Sequence, residues 1–363
     1  MAKIERRAFI KNTGRLAAGL ATAIHVGGSS AAESGRRIKV GQIGTAHAHA
    51  GGKMATMRKL TDDFEVVGVV EPDAAARKRM EGHAIYRDLP WMTEDQLLAT
   101  PGLRMVAVET AVSELVPTAA RCVAAGLHLH LDKPAGDSLP AFKKVLEAAD
   151  RQNLCVQMGY MFRNNPAFQL CFRAVREGWL GTVFELHGVI SKYISDDRRD
   201  LLMRQPGGTM FELGCHLIDA MVAAMGKPDG VTPFIRRTRP ERDQLADNML
   251  AVFEYPKATC TIRTAVVEVD GGRRRQFVVC GDRGTVDIRP LEPPKMLLAI
   301  DRSQGDYRRG YQEVELPPMP GRYDDQLAEL ARIIRGEIQS PYTSSHDLAV
   351  HEMVLQASGM SVD

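Results

Sequence analysis

A carboxylate and an imidazole, Glu212 and His216, lie four residues apart in the stretch PGGTMFELGCHLIDA that begins at Pro206. On an α-helix this spacing places both side chains on one face, about one turn apart. A carboxylate beside an imidazole can set its tautomer and raise its basicity, which a general base needs near neutral pH. The alternative is purely structural, a hydrogen-bonded His–Glu pair on a half-buried helix.

A lysine at the end of a predicted strand is the second candidate. Lys133 and Pro134 follow the strand pattern of residues 128–131. Ligands of parallel sheets bind beyond the carboxyl ends of the strands. A desolvated ammonium in that position can stabilise an alkoxide or relay a proton. The alternative is a solvated lysine in a surface loop.

The chain before Lys133 alternates between strand and helix patterns, which indicates a parallel sheet with helices on both faces. The first strand runs into Gly44, and the second ends on Glu71. This βαβ pattern predicts a pyrophosphate at the helix N-terminus and ribose hydroxyls on Glu71. Counted from Gly44, Ala46 and His49 fill the second and third glycine places of GxGxxG. Glu71 would repel a 2′-phosphate, so NAD is favoured over NADP.

The pattern changes near residue 160. From there to residue 300, β-like runs separated by Gly and Pro predict an antiparallel or mixed open sheet, with the Pro206–Ala220 helix on one face. Two helices, Tyr323–Gly336 and Asp347–Gln356, close the chain and can pack back on the first domain. The predicted fold class is α/β, with a parallel sheet in residues 36–159 and a large open, mostly antiparallel sheet in the C-terminal α/β domain, residues 160–363.

Composition narrows the possible functions. The chain has 363 residues, 44% hydrophobic and 25% charged, with a formal net charge of +2. The length predicts two domains, and the near-neutral charge argues against a nucleic-acid partner. The six cysteines are scattered, with no CxxC and no His-rich cluster of metal-site spacing. We therefore expect neither a metal site nor a disulfide framework.

Residues 1–35 have the order of an export signal. Arg6 and Arg7, followed by Lys11, resemble a twin-arginine motif, and the apolar run Leu16–Val26 leads into small residues. That run is shorter than the ~20 residues needed to cross a bilayer. The segment predicts export by the twin-arginine machinery to the periplasm or cell envelope. It leaves open whether the signal is cleaved or retained as an anchor.

Five motifs in order along the chain resemble those of the glucose–fructose oxidoreductase / inositol dehydrogenase / rhizopine-catabolism (Gfo/Idh/MocA) family. They are Val40–Gly44, Val67–Asp73, Ala125–Pro134, Gly159–Arg163 and Gly207–His216. The resemblance covers the chain from about Arg37 to the C-terminus. It implies an N-terminal Rossmann domain, a nicotinamide cofactor, and a sugar, cyclitol or related polyol as substrate. It also implies a homodimer or homotetramer formed through the C-terminal sheet.

The same resemblance implies the site residues, which meet in a cleft between the domains. Lys133, Glu212 and His216 are the catalytic set. His216 acts as the base, Lys133 stabilises the alkoxide, and Glu212 orients His216 or contacts the substrate. Substrate contacts come from these three residues and Arg163. Cofactor contacts come from Gly44, Thr45, Ala46, His47, Glu71, Thr110 and Lys133.

The sequence departs from the family pattern at three places. Glu212 stands where the family has Asp, Val112 and Leu115 stand where it has Asn and His, and the nucleotide loop lacks its second Gly. The leading hypothesis is an exported NAD-dependent oxidoreductase acting on the CH–OH group of a carbohydrate-like substrate. Because little free NAD is present outside the cytoplasm, we expect the cofactor to be tightly bound and self-regenerating.

Two other functions remain open at this stage. One is an NAD-dependent glycoside hydrolase or lyase, which oxidises the sugar transiently so that elimination becomes possible. The other is a non-catalytic sugar-binding homologue, which the altered nucleotide loop favours.

Overall fold

Two β-sheets organise the residues that the structure, a computed structural model, describes, which are 37–45 and 47–363. The predicted export signal and the predicted cofactor contact Ala46 lie outside these residues. Both sheets belong to one compact unit, Arg36–Asp363. Among the described helices, none has the length and apolar character needed to span a membrane.

The first sheet has five parallel strands in the order β2-β1-β3-β4-β5. Its strands are β1 (Ile38–Ile43), β2 (Phe64–Val70), β3 (Leu103–Val108), β4 (His128–Leu131) and β5 (Val156–Met158). The connecting helices are α1 (Ala50–Lys59), α2 (Ala74–Met80), α3 (Glu94–Leu98), α4 (Val112–Ala124) and α5 (Leu139–Arg151). Strand order reverses between β1 and β3, so the ligand-binding switch point lies at their carboxyl ends.

The helices form where the sequence supplies one apolar face and a cap. In α4 the buried side chains include Leu115, Ala119 and Cys122, whose three- and four-residue spacing keeps them on one face of the helix. Thr93 and Gln96 form a capping box that begins α3. The helix after the nucleotide loop begins only at Ala50, because residues 47–49 form a turn.

The second sheet has eight strands in the order β13-β12-β11-β10-β6-β9-β8-β7. All of its pairs are antiparallel except β6 with β9. Its strands are β6 (Val183–Ser191), β7 (Gly230–Arg236), β8 (Asn248–Tyr255), β9 (Ala258–Ala265), β10 (Gln276–Gly281), β11 (Gly284–Leu291), β12 (Pro294–Ile300) and β13 (Gly310–Val314). The predicted fold class is therefore confirmed.

Five further α-helices lie in the described residues from 166 to the C-terminus. They are α6 (Pro166–Arg176), α7 (Asp196–Leu202), α8 (Cys215–Met225), α9 (Asp324–Ile334) and α10 (Ser344–Ala357). The predicted Pro206–Ala220 helix is different in detail, because residues Met210–Gly214 form a π-helical turn before α8 begins. The sequence analysis also did not predict α2, α7 or β13, each of which has seven residues or fewer.

The chain returns to the first sheet in α9. Leu327, Leu330 and Ala331 share a buried core with Val40 of β1 and Met54 of α1. The carbonyl of Ile334, at the end of α9, also accepts a hydrogen bond from Arg104 of β3, at 2.7 Å. The C-terminal part of the chain therefore helps to hold α1, and with it the nucleotide loop, against the first sheet.

Candidate functional site

The structure brings Lys133 and Glu212 together from the two halves of the chain. Lys133 follows β4 and is 1% exposed, and its Nζ donates a hydrogen bond to the Glu212 carbonyl at 2.9 Å. The same Nζ lies 3.5 Å from Glu212 Oε1. Burial opposes a charge on Lys133, but the nearby acidic groups, Glu212 first among them and Asp132 adjacent to Lys133 in the sequence, together outweigh burial and raise the pKa of Lys133 above its ordinary value. The lysine is therefore an ammonium that is held in place by the π-helical turn.

His216 lies near the start of α8 and is 4% exposed. Its ring makes edge contacts with Tyr160 and Phe162, at centroid distances of 6.1 and 5.9 Å. Burial, aided by the positive charge of Lys133, lowers the pKa of His216 well below its ordinary value. His216 is therefore a neutral imidazole with a free lone pair, and its basicity is lower than that of an imidazole in water.

The expected pairing of Glu212 with His216 is not formed. The Glu212 side chain forms its ion pair with Lys133, while Glu212 Oε2 and His216 Nδ1 have no hydrogen-bond partner. The expectation assumed an α-helical turn, whereas residues Met210–Gly214 follow the wider i→i+5 pattern of a π-helix. This different rotation about the helix axis places the Glu212 carboxylate beside Lys133.

Gly44 and its neighbours form the switch point of the first sheet. Gly44 has φ +95°, and a Cβ at this position would lie 2.4 Å from the Glu109 backbone, so the ends of β1 and β3 meet here. The Thr110 backbone nitrogen is 2.5 Å from the same point. Glu71 Oε2 accepts hydrogen bonds from Thr45 N at 2.7 Å and Thr45 Oγ1 at 2.8 Å. Four of the expected cofactor contacts, Gly44, Thr45, Glu71 and Thr110, are thus grouped around one strand end.

A second group of charged side chains lies beside Lys133. Asp132 accepts from Lys53 at 2.8 Å, and the imidazole Nδ1 of His47 lies 2.7 Å from the other carboxylate oxygen. Lys53 is also 2.7 Å from Glu109, and both of these side chains are fully buried. Burial raises the pKa of Glu109 to about 7. Of this group, the sequence analysis had assigned only His47 to the site.

A charged residue within or directly after an apolar segment is the sequence signal that could have identified Lys53 and Glu109. Lys53 lies among small and apolar residues in the first half of α1, and Glu109 directly follows the apolar strand β3. Buried acids and lysines are rare unless they are paired. Because the partner of Lys53 lies 79 residues away in the sequence, spacing alone could not identify the pair.

Arg163, an expected substrate contact, lies in a buried ion-pair network. Its Nη2 donates to Asp219 at 2.6 Å and to Asp347 at 2.5 Å. Burial raises the pKa of Asp347, whereas Arg163 outweighs burial at Asp219 and lowers the pKa there. Tyr160 contacts the guanidinium on one side and His216 on the other. Arg163 thus packs against Tyr160, which in turn contacts the His216 ring.

Comparison with known proteins gives two family matches. The model described as "Oxidoreductase family, NAD-binding Rossmann fold" matches residues 38–160, and the model described as "GFO/IDH/MocA C-terminal domain" matches residues 168–287. An uncharacterized oxidoreductase of Schizosaccharomyces pombe is 22% identical over 334 residues, which cover 88% of this chain and 91% of that protein.

Similar folds are present among solved structures. The aldose–aldose oxidoreductase of Caulobacter crescentus, complexed with glycerol, is 18% identical with a TM-score of 0.73, covering 89% of this chain and 98% of that one. The WlbA dehydrogenase of Chromobacterium violaceum, in complex with NADH and UDP-GlcNAcA, is 16% identical with a TM-score of 0.72, covering 89% and 93%. At these identities the likeness concerns the fold.

Proposed function

Because the chain belongs to the Gfo/Idh/MocA oxidoreductase family, we propose that it transfers a hydride between NAD and a hydroxyl-bearing carbon of a carbohydrate-like substrate. The observation that supports this is the buried Lys133 ammonium, fixed by Glu212, with the neutral imidazole of His216 four residues further on. Oxidation of a CH–OH group needs both a stabilised alkoxide and an acceptor for its proton.

The described residues fit the two ends of a nicotinamide dinucleotide. Glu71, directly after β2, offers a carboxylate to the adenosine ribose, and Gly44, without a side chain, lets the backbones at the ends of β1 and β3 pack closely. We assign the nicotinamide end to Lys133, which follows β4, and to His216, which lies near the start of α8. The bound cofactor would supply a hydride acceptor or donor at this end.

Each residue of the chain has a separate task in this scheme. Lys133 donates a hydrogen bond to the developing alkoxide, and Glu212 keeps that ammonium charged and oriented. His216 accepts the hydroxyl proton at Nε2, because its Nδ1 is buried against the protein. The rings of Tyr160 and Phe162 exclude water from one side of the imidazole. Groups of this kind contribute on the order of 10²- to 10⁴-fold each.

The substrate class follows from the relatives and from this chemistry. One similar structure is an aldose–aldose oxidoreductase, and another binds a nucleotide sugar. We extend that chemistry to this chain and infer a sugar or sugar derivative, with the cofactor retained between turnovers. NADH fluorescence during incubation of the loaded protein with a panel of aldoses, uronates and cyclitols tests this. If none of these compounds reduces the bound cofactor, the substrate class is wrong.

The cofactor preference depends on Glu71. Replacing Glu71 by Ser removes the carboxylate that binds the ribose hydroxyls and repels a 2′-phosphate. We expect the preference for NAD over NADP, measured as the ratio of dissociation constants by calorimetry, to fall by about 10- to 100-fold, since a hydrogen bond to a charged group contributes about 1.5–3 kcal/mol. The control is Glu65→Ser, at the other end of β2. An unchanged ratio in Glu71→Ser would contradict the assignment.

Export and assembly are proposed on the sequence alone. We infer that the paired arginines Arg6 and Arg7 direct the protein to the periplasm or cell envelope, and that the second sheet joins two or four copies of the chain. Fractionation of cells expressing the double Lys variant at these arginines tests export, because retention of the wild-type distribution would exclude this route. Light scattering of the purified protein tests assembly, and a monomer would exclude it.

A further inference from the structure

Two imidazoles from the loop between β1 and α1 converge on one buried carboxylate. His47 Nδ1 lies 2.7 Å from Asp132 Oδ2, and His49 Nδ1 lies 3.4 Å from Asp132 Oδ1. The three ligand atoms all lie within 4.8 Å of one another. The Asp132 side chain is fully buried, while the two imidazoles are 10% and 20% exposed. The carboxylate therefore forms the floor of a small polar site, and the rings form its rim.

His47 and Asp132 are close enough for an ion pair when the imidazole is protonated, but the contact does not have the regular geometry of a hydrogen bond. Although 2.7 Å separates the two atoms, Asp132 Oδ2 has no hydrogen-bond partner. Ligand atoms at about 2.0–2.2 Å from one metal ion lie about 3 Å from each other. The spacings of 2.7 and 3.4 Å lie on either side of that value. An unpartnered, fully buried carboxylate oxygen that faces an imidazole nitrogen is the arrangement expected of two ligands that share a cation.

Lys53 holds the carboxylate in the orientation that this requires. Its Nζ donates to Asp132 Oδ1 at 2.8 Å and lies 2.7 Å from Glu109. Oδ1, which His49 also faces, is thus fixed, and Oδ2 faces His47 alone. Metal ligands are commonly oriented by such outer hydrogen bonds. Lys53 and Glu109, which have no assigned part in hydride transfer, thus have a role in positioning Asp132.

We propose that His47, His49 and Asp132 bind one divalent transition-metal ion next to Lys133. Two imidazole nitrogens and one carboxylate oxygen form a ligand set typical of Zn²⁺ and Fe²⁺. Three protein ligands leave at least one coordination position for water or for an oxygen of a ligand in the cleft.

This site revises the sequence-based expectation that no metal is bound. That expectation counted CxxC pairs and His-rich clusters, whereas here only two histidines are close in sequence. The third ligand, Asp132, lies 83 residues after His49. The β-sheet brings it to the loop, because β1 and β4 both end on the same edge of the first sheet.

Cobalt binding by the full-length, chelator-treated protein tests the proposal without any nucleotide or substrate. Co²⁺, which needs deprotonated ligands, gives visible d–d absorption when it is bound by nitrogen and oxygen atoms. We expect about one Co²⁺ per chain, displaced by Zn²⁺. We also expect His49→Asn to weaken binding by at least about 10- to 100-fold. The control is His83→Asn, an exposed histidine of the first domain.

A second variant keeps the test decisive if one substitution perturbs the loop. In the double variant His47→Asn, His49→Asn, circular dichroism should show the wild-type fold while Co²⁺ and Zn²⁺ no longer raise the melting temperature, as they do for the wild type. Equal Co²⁺ affinity in the wild type and in this variant would show adventitious binding elsewhere and overturn the proposal. Absence of binding to the wild type would overturn it too. Neither result depends on whether the protein binds NAD.

Discussion

Replacing Lys133 by Met lowers kcat on the order of 10²- to 10⁴-fold, the range for a group that acts on the proton or charge of the transition state. Methionine keeps the length and the apolar stem of the side chain but removes the ammonium that meets the alkoxide. The fold should persist, because Glu212, the charged partner, is 18% exposed and can be hydrated. The measurement is single-turnover reduction of bound cofactor, with dissociation constants for cofactor and sugar measured separately.

Two comparisons make the Lys133 result specific. Lys143→Met removes an ammonium on α5 whose side chain is 58% exposed, and this substitution should leave kcat unchanged. Lys133→Arg retains a positive charge, and we expect it to recover part of the lost rate. A Lys133→Met protein that turns over at nearly the wild-type rate would remove Lys133 from the catalytic set.

Replacing Arg163 by Leu destabilises the fold by about 3–5 kcal/mol, because breaking a buried ion pair leaves its partner charged and desolvated. Asp219 and Asp347 are each about as buried as Arg163, at 1–2% exposure. Urea unfolding followed by circular dichroism measures the loss. The triple variant, in which Asp219 and Asp347 are also changed to Asn, should recover most of it, since an uncharged cluster of similar volume carries no unpaired charge.

Measuring both the free energy of unfolding and the KM for sugar of Arg163→Leu decides between two roles for Arg163. As an expected substrate contact, its loss would raise the KM for sugar while the free energy of unfolding stayed nearly constant. As a buried support behind Tyr160 and His216, its loss lowers stability first. A change below about 1 kcal/mol in Arg163→Leu would contradict the structural role, because buried pairs typically cost more than that when one partner is removed.

The sequence predicted the fold well because local pattern and topology agree here. Alternating strand and helix patterns can form few structures other than a parallel sheet, and β-like runs without helices indicate an open antiparallel one. Lys133 was found because residues after buried strands of parallel sheets converge on one edge. Gly44 and Glu71 were predicted for the same reason: Gly44 lies at the switch point, and Glu71, after β2, accepts a hydrogen bond from Thr45 beside it.

The parts that were missed depend on phase and on distant partners. The predicted pairing of Glu212 with His216 assumed the α-helical rotation of 100° per residue. Because one turn is π-helical, Glu212 faces Lys133 instead. Arg163 has partners 56 and 184 residues away, which spacing cannot identify. His49 was noted only as a substitute for glycine, because its contact with Asp132 exists only once β4 is placed. Charge pairing over long sequence separation is thus the main information that the sequence did not supply.

Quantification of nicotinamide cofactor in the purified protein tests the central claim most directly. The full-length protein is incubated with NAD, freed of unbound nucleotide by gel filtration and denatured, and the released nucleotide is measured by mass spectrometry. We predict about one NAD per chain, and a marked reduction in Gly44→Val, whose side chain would clash with the Glu109 backbone at the switch point. A wild-type protein that retains no nicotinamide nucleotide, and that binds none by calorimetry, would contradict the account and favour a sugar-binding homologue without catalysis.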